Sequence, residues 1–274
     1  MKKIFITGAG GYIGSNLAYF LSKKKFKIYG LTTKKKYNSK NLKWIIGNLN
    51  GNYNNYLKKC DLVIHCAAAG VYKKVNKKKL HKVNCKDSIK FLKNAYLANC
   101  KNWIIFGSSF EYGFIKNKAF SSNKSKLKPV DDYGKSKKNF YENLLALNIK
   151  NYCKILYLRT FHVYGGNEPK KRMYPSLLQS IKEGKDFKMT KGEEIRDFIH
   201  INTINKKIIK SFDLFKKKNF FFFTKNLASG KKMTVRKFAL NILKKNKSKN
   251  KILFGKIKKK NKYHSIYSDK KSLL

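Results

Sequence analysis

Along the first 165 residues, short apolar runs alternate with longer stretches in which apolar residues return every three or four positions. Ile4, Phe5 and Ile6 form the first run, β-branched and aromatic as a strand buried on both faces should be. From Tyr12 onward, Ile13, Leu17, Phe20 and Leu21 recur at helical spacing. Read in this way, the pattern predicts strands over 3–7, 27–31, 42–47, 62–66, 103–108 and 154–160, and helices over 12–22, 80–99 and 134–148. Such alternation implies repeated βαβ units and a doubly wound parallel α/β sheet. After Gly165 the rhythm breaks into shorter elements, among them "FFFFTK" at 220–225, read as a buried strand. The expected division is a large domain over 1–165 and a smaller α/β lobe over 166–274, with part of 197–212 packing back on the first. Lysine runs at 34–36 and 258–260 read as solvated loops.

Between the first strand and the first helix sit Gly8, Gly10, Gly11 and Gly14. Gly8, Gly11 and Gly14 give G-x-x-G-x-x-G, with Ile13 where G-x-G-x-x-G would need its last glycine. A strand, a turn without Cβ atoms and a helix N-terminus together make a cradle for a pyrophosphate. Gly8 would make the sharp turn, Gly11 would let backbone approach phosphate, and Gly14 would let helix and strand pack closely. A tight turn without any ligand would use the same glycines, so the motif alone leaves both readings open.

Composition narrows the setting. No apolar stretch is long enough to span a bilayer, and the start passes directly into a strand with no signal-peptide core, so a cytoplasmic protein is expected. Cys60, Cys66, Cys85, Cys100 and Cys153 are odd in number and contain no C-x-x-C pair; they read as free thiols in a reducing compartment, with no metal expected. Lys and Arg total 65 against 14 Asp and Glu, a net charge of +51. Such a balance suggests nucleic acid or an anionic surface. Yet the arginines are Arg159, Arg172, Arg196 and Arg236 alone, and lysine rises together with Asn, Ile, Phe and Tyr. That is the signature of AT-rich codons, and it argues against a nucleic-acid partner, which would also use guanidinium forks. The positive field remains, and it favours phosphate-bearing substrates.

Two segments carry candidate chemistry. In "DDYGKSKKNF", Tyr133 and Lys137 are four apart and share one helix face. A phenol of pKa about 10 is a poor base at neutral pH, and an adjacent ammonium lowers it toward the working range. In "WIIFGSSFEYG", an apolar strand ends at Ser108 and Ser109, placing hydroxyls at the carboxyl edge of a parallel sheet, where ligands bind. The bland readings are a surface tyrosine beside a solvated lysine, and a polar strand end or cap.

"TGAGGYIG", "DLVIHCAAAG", "GSSFEYG" and "YGKSK" follow one another as in the extended short-chain dehydrogenases/reductases. The chain resembles their NAD-dependent epimerase/dehydratase group, which acts on nucleotide-linked sugars, and the likeness continues through "LRTFHVYG", "GEEIRDFIHI" and "NLASGKKMTVRKFA". The resemblance implies a Rossmann-type domain with a substrate-binding C-terminal lobe, an NAD or NADP cofactor, a nucleoside-diphosphate sugar and a homodimer. It places Gly8, Gly10, Gly11, Tyr12, Ile13 and Gly14 at the pyrophosphate, and Thr32, Thr33, Asn48 and Leu49 around the adenosine. Ala67 and Ala68 would flank the cofactor. Ser109 matches the catalytic Ser/Thr, Tyr133 the general acid/base, and Lys137 the residue that binds the nicotinamide ribose. Ser108, His162 (where an Asn is usual) and Arg196 would hold substrate, Arg196 gripping its diphosphate.

The chain also departs from the family pattern. "YGLTTKKK" has no acid at the end of the second strand, which favours NADP over NAD. Asn48 replaces an Asp, "SSFEYG" is one residue short, and "INTI" lacks the usual acids after "RDF". Phe110 stands where sugar 4,6-dehydratases carry an acid, which argues against water elimination. The leading expectation is therefore a C4 ketoreductase or epimerase. Its competitors are a nucleic-acid-binding protein on a retired dehydrogenase scaffold and a dinucleotide-binding paralogue without turnover.

Overall fold

The computed structural model describes residues 2–71, 75–113, 119–218, 221–258 and 266–274. Its elements run β1 (Lys3–Thr7), α1 (Tyr12–Lys23), β2 (Lys27–Thr32), β3 (Leu42–Ile46), α2 (Asn54–Leu57), β4 (Leu62–His65), α3 (Lys77–His81), α4 (Ser88–Leu97), β5 (Asn102–Ser108), α5 (Asp132–Ala146) and β6 (Lys154–Thr160). They continue with β7 (His162–Tyr164), α6 (Met173–Lys182), β8 (Phe187–Met189), β9 (Ile195–His200), α7 (Ile201–Ser211), β10 (Phe222–Leu227), β11 (Lys232–Thr234), α8 (Val235–Lys245) and β12 (Ile252–Phe254).

Seven parallel strands form the main sheet in the order β10-β6-β5-β4-β1-β2-β3. The order reverses between β1 and β4, which opens a crevice at the carboxyl ends of those strands. Side-chain alternation divides the core in two. Ile4 and Ile6 of β1, Leu62 and Ile64 of β4 and Leu156 and Leu158 of β6 face α1 and α7, meeting Leu17, Leu21, Ile204 and Ile208. Phe5, Val63, Trp103, Ile105 and Ile155 face the other way, onto Phe91 and Leu92 of α4 and Phe140 and Leu144 of α5. Burial on both faces is why these strands read as continuous apolar runs. β7, β9 and β11 make a second, three-stranded sheet, and β8 pairs with β12. A separate cluster of Leu177, Met189, Phe238 and Ile242 fills that lobe.

Three sequence expectations shift. The helix expected over 80–99 runs without interruption from Lys77 to Leu97: Asn76 caps α3, accepting from the Lys79 N–H at 2.8 Å, and a π-helical turn over Lys82–Asp87 joins α3 to α4. α5 starts two residues early because Asp131 accepts the Gly134 N–H at 2.6 Å, an N-cap that the pattern of apolar residues could not show. The strand expected at 220–225 is β10, running on to Leu227; Phe220 lies outside the described residues, as do Lys259 and Lys260 of the lysine run at 258–260. Cys60, Cys85, Cys100 and Cys153 are buried free thiols and Cys66 is half-buried, and burial raises the pKa of each. Among the described residues no helix is long and apolar enough to cross a membrane.

Candidate active site

The glycine turn is built as tightly as a turn can be. Gly8 has φ +63°, and a Cβ there would stand 2.7 Å from the Ala67 backbone. A Cβ on Gly14 would lie 2.3 Å from the Gly8 carbonyl oxygen, so α1 rests directly on the turn. Gly11 is the N-cap of α1 and makes no side-chain cap, leaving the first N–H groups of the helix to an anionic guest. These features fit a dinucleotide pyrophosphate.

The flanking residues differ in how they are employed. Tyr12 donates its hydroxyl to the Gly165 carbonyl at 2.6 Å, tying the turn to the end of β7, and Ile13 packs on the core. Thr32 is buried beneath the turn: a Cβ on Gly10 would meet its Oγ1 at 2.2 Å, and that oxygen accepts the Lys34 N–H at 3.1 Å. Thr33, Lys34 and Lys35 are exposed. Asn48 is exposed, with Oδ1 accepting the Asn50 N–H, while Leu49 is core. Ala67 donates its N–H to Thr7 Oγ1 at 3.3 Å, and Ala68 beside it is exposed.

A chain of hydrogen bonds behind the crevice fixes one tautomer. Ser88 Oγ donates to the Val83 carbonyl, so it accepts from His65 Nε2 at 3.0 Å. His65 Nδ1 then accepts from Thr7 Oγ1 at 2.9 Å. Complete burial, with the Lys137 charge adding to it, depresses the His65 pKa to about 3, so the ring is neutral.

At the end of β5 the chain turns through one 3-10 turn, Ser109–Glu111, capped by Ser108. Ser108 Oγ accepts the Phe110 N–H at 3.2 Å, and Glu111 Oε1 accepts the Ser108 N–H at 2.7 Å. Glu111 is wholly buried and points into the core: Oε1 also accepts from the Tyr157 hydroxyl and Oε2 from Arg159 Nε, both at 2.8 Å. Arg159 donates onward to the Ser122 carbonyl at 3.0 Å, and its guanidinium lies 4.4 Å from the centre of the Tyr141 ring. Ser109, 1% exposed, behaves differently: its Oγ is enclosed and has no hydrogen-bond partner among the described residues.

Helix α5 brings Tyr133 and Lys137 to this strand end. Lys137 is 1% exposed and donates Nζ–H to the Phe106 carbonyl at 2.8 Å. Burial pushes its pKa down, and the Glu111 carboxylate pushes it back up. Asn84, in the π-helical turn, holds this helix in place. Its Oδ1 accepts the Ala69 N–H at 2.6 Å and its Nδ2 donates to Ser136 Oγ at 2.9 Å, while Ser136 Oγ donates to the Tyr133 carbonyl at 2.7 Å. The Tyr133 ring stands edge-on to Phe110 at 6.1 Å. Phe110 also lies 6.1 Å from the His162 ring, whose Nδ1 is enclosed without a partner among the described residues. Burial first, then the charges of Arg196 and Arg172, hold the His162 pKa well below its ordinary value. Arg196 is itself buried and donates from Nη1 to its own Ile195 carbonyl.

Ser109 thus follows β5 of the main sheet and α5 carries Tyr133 and Lys137 beside that strand end, while His162 lies on β7 and Arg196 on β9 of the three-stranded sheet, with the Phe110 ring between Tyr133 and His162. Sequence reasoning passed over Asn84, Ser136, His65 and the Glu111–Arg159 pair. A polar Asn in the middle of an apolar helix pattern was the available sign for Asn84; long-range pairs such as Glu111–Arg159 left none.

Residues 4–210 match the NAD dependent epimerase/dehydratase family, and the chain belongs to that family. It is 26% identical over 204 residues to the GDP-6-deoxy-D-talose 4-dehydrogenase of Aggregatibacter actinomycetemcomitans, covering 73% of this chain and 66% of that one. The UDP-N-acetylglucosamine 4-epimerase of Methanobrevibacter ruminantium M1, solved with UDP-N-acetylmuramic acid, shares the fold at TM-score 0.84 and 24% identity, over 98% of this chain and 90% of that one. The UDP-glucuronic acid 4-epimerase of Bacillus cereus, solved with NAD, shares it at TM-score 0.80 and 21% identity, over 98% and 90%.

Proposed function

We propose that the chain exchanges hydride and proton at C4 of a nucleoside-diphosphate sugar, as a 4-ketoreductase or 4-epimerase. The observation that carries this reading is that Ser109 Oγ and His162 Nδ1 are enclosed and have no hydrogen-bond partner among the described residues, with Phe110, the residue after Ser109, lying against the rings of Tyr133 and His162. Buried polar groups are nearly always partnered, and two orphans at one site are what a hydroxyl-bearing substrate would complete. In the oxidising direction Tyr133, as phenolate, takes the proton of the C4 hydroxyl. Lys137, confined beside Phe106, stabilises that phenolate through its charge. Ser109 hydrogen-bonds the C4 oxygen throughout, and neutral His162 a second sugar hydroxyl. The dinucleotide, when bound at Gly8–Gly14, supplies the hydride exchange. Arg196 offers its guanidinium to the diphosphate.

Water elimination lacks an acid here: Phe110 occupies the place of one, and the neighbouring carboxylate of Glu111 is engaged in the core. A second strand that ends in Thr32, Thr33 and Lys34 without a carboxylate supports NADP over NAD. The name of the Aggregatibacter relative, a 4-dehydrogenase, supports a C4 reaction.

The test is purification with any retained dinucleotide, then a screen of UDP-, dTDP-, CDP- and GDP-sugars with NAD+ and NADP+. Reduction would be followed by near-ultraviolet absorbance and epimerisation by chromatography of the products. A sugar nucleotide that turns over in the parent and not in Tyr133→Phe is expected; failure to bind either dinucleotide overturns the reading.

A further inference from the structure

We infer that Lys36 receives a phosphate on the 2′ oxygen of the adenosine ribose and so decides between NADP and NAD. This role for Lys36 rests on the dinucleotide proposed for the glycine turn. A dinucleotide whose pyrophosphate sits on Gly8–Gly14 lays that ribose over the end of the second strand, where a carboxylate would take a free 2′ hydroxyl. The first 60 residues hold no acid at all. Asp61, the first in the chain, lies at the opposite, amino end of β1, where it accepts the N–H groups of Lys2 and Lys3.

The lysine run at 34–36 is not uniformly solvated. Lys34 and Lys35 are exposed, whereas Lys36 is half-buried. Its Nζ lies 4.9 Å from the centre of the Trp44 ring, and its Cε would stand 4.0 Å from a Cβ on Gly10. The end of β2 reaches the glycine turn through the Ala9 N–H, which donates to the Leu31 carbonyl at 2.9 Å, and through Thr32, packed against Gly10. Thr32 Oγ1 already accepts the Lys34 N–H. Trp44 is itself fixed. It is 7% exposed, Tyr19 meets it edge-on at 5.9 Å, and a Cβ on Gly30 would come within 3.0 Å of its ring. The loop that carries Lys36 is closed onto β3 by Asn38 Oδ1, which accepts the Trp44 N–H at 2.7 Å, and by reciprocal backbone bonds between Ser39 and Leu42. An indole face orients an ammonium without neutralising it, as a carboxylate would. Among the described residues no carboxylate pairs with Lys36. A whole positive charge is therefore held beside the turn, while Lys34 and Lys35 add only to the general field of a +51 chain. A phosphate monoester gains from that local charge; a ribose hydroxyl gains little.

Calorimetry with two matched pairs, each differing by the 2′-phosphate alone, tests this without any sugar substrate: NADP+ against NAD+, and 2′,5′-ADP against 5′-AMP. In the parent the 2′-phosphorylated member of each pair is expected to bind about tenfold to a hundredfold more tightly, the range of one charge-assisted contact. Lys36→Met keeps an apolar stem on Trp44 and removes the charge. It should reduce the preference about tenfold with NAD+ affinity within about twofold of the parent, and Lys36→Arg should keep the preference. Lys34→Ala and Lys35→Ala lower the net charge equally and should each change the preference less than about twofold, since exposed charges are screened. A preference that survives in Lys36→Met, or that falls as far in Lys34→Ala or Lys35→Ala, overturns the role of Lys36 and leaves the dinucleotide reading standing. NAD+ bound by the parent as tightly as NADP+, or more tightly, overturns it as well. If neither dinucleotide binds, the reading of the glycine turn falls and this inference with it.

Discussion

Ser109 and Glu111 stand two residues apart in one turn and are both buried, yet their surroundings are opposite. Glu111 has a partner for each oxygen, in Ser108, Tyr157 and Arg159. Ser109 Oγ has none among the described residues. A buried carboxylate that is fully paired is held by the fold and contributes to it; an unpaired hydroxyl costs stability and is tolerated where a ligand completes it. The turn therefore has a structural side, Glu111 bonded to Tyr157 and Arg159 of β6, and a side that we propose to be chemical, Ser109 with the Phe110 ring that lies against Tyr133 and His162. The two sides should separate in experiment: substitutions on one should lower stability, and on the other turnover.

The largest effect belongs to Tyr133. Tyr133→Phe removes one oxygen from a half-buried side chain, so the melting temperature should stay near the parent value. Turnover of the substrate found in the screen should fall by about 10³–10⁴, the upper part of what a positioned acid–base group supplies. A variant with more than about a tenth of the parent rate would remove Tyr133 from the chemical side.

His65 belongs with the structural groups, because both ring nitrogens are bonded. Its pKa in the fold is about 3 against an ordinary 6.5, so the unfolded chain binds the proton more readily. Stability is then present in full above about pH 6.5 and is lost as the pH falls toward about 3, by on the order of 4–5 kcal/mol in total. His162 shifts in the same direction. Urea midpoints measured across this window should decline, and His65→Gln, which cannot titrate, should flatten the decline. An equal slope in parent and variant would show that His65 does not carry it.

Glu111 tests the structural side of the turn directly. Glu111→Leu strands Arg159, 2% exposed, as an unpaired buried cation and should cost about 3–5 kcal/mol in denaturant unfolding. Adding Arg159→Met removes the stranded charge and should restore part of the loss. A double variant no more stable than Glu111→Leu would mean that the pair is not the unit described here.

The fold was largely legible because its signal is local. The alternation of apolar runs gave each strand of the main sheet as far as β6 to within a residue or so, and Gly8 to Gly14 marked the crevice. The positions of Ser109 at a strand end and of Tyr133 and Lys137 on one helix were legible too, through spacing and the end of an apolar run. What stayed hidden depends on pairs distant in sequence. Glu111 finds Arg159 48 positions away and Asn84 finds Ser136 52 away, and no periodicity announces such contacts. The π-helical turn within the helix expected over 80–99 is of the same kind, since around Asn84 it serves tertiary bonds rather than helix propensity. Phe110 was visible as a missing acid, whereas its ring contacts with Tyr133 and His162 had no sign in the sequence.

Ser109→Ala should have the smallest effect and separates the two sides most cleanly. The substitution deletes an enclosed hydroxyl that has no hydrogen-bond partner among the described residues, so it removes a desolvation cost together with a small volume. Stability should stay within about 1 kcal/mol of the parent, or rise slightly, which is unusual for a polar residue 1% exposed. Had the hydroxyl been a structural group like those around Glu111, its loss would leave a buried partner unsatisfied and lower stability by about 1–3 kcal/mol. The catalytic reading sets a second requirement. The hydroxyl meets the C4 oxygen while that oxygen's proton moves, so the rate should fall by about tenfold to a hundredfold with dinucleotide affinity unchanged. Urea unfolding, dinucleotide calorimetry and turnover of the same preparation supply the three readings. A destabilised Ser109→Ala with an unaltered rate would place Ser109 beside Glu111 on the structural side and remove it from the proposed chemistry.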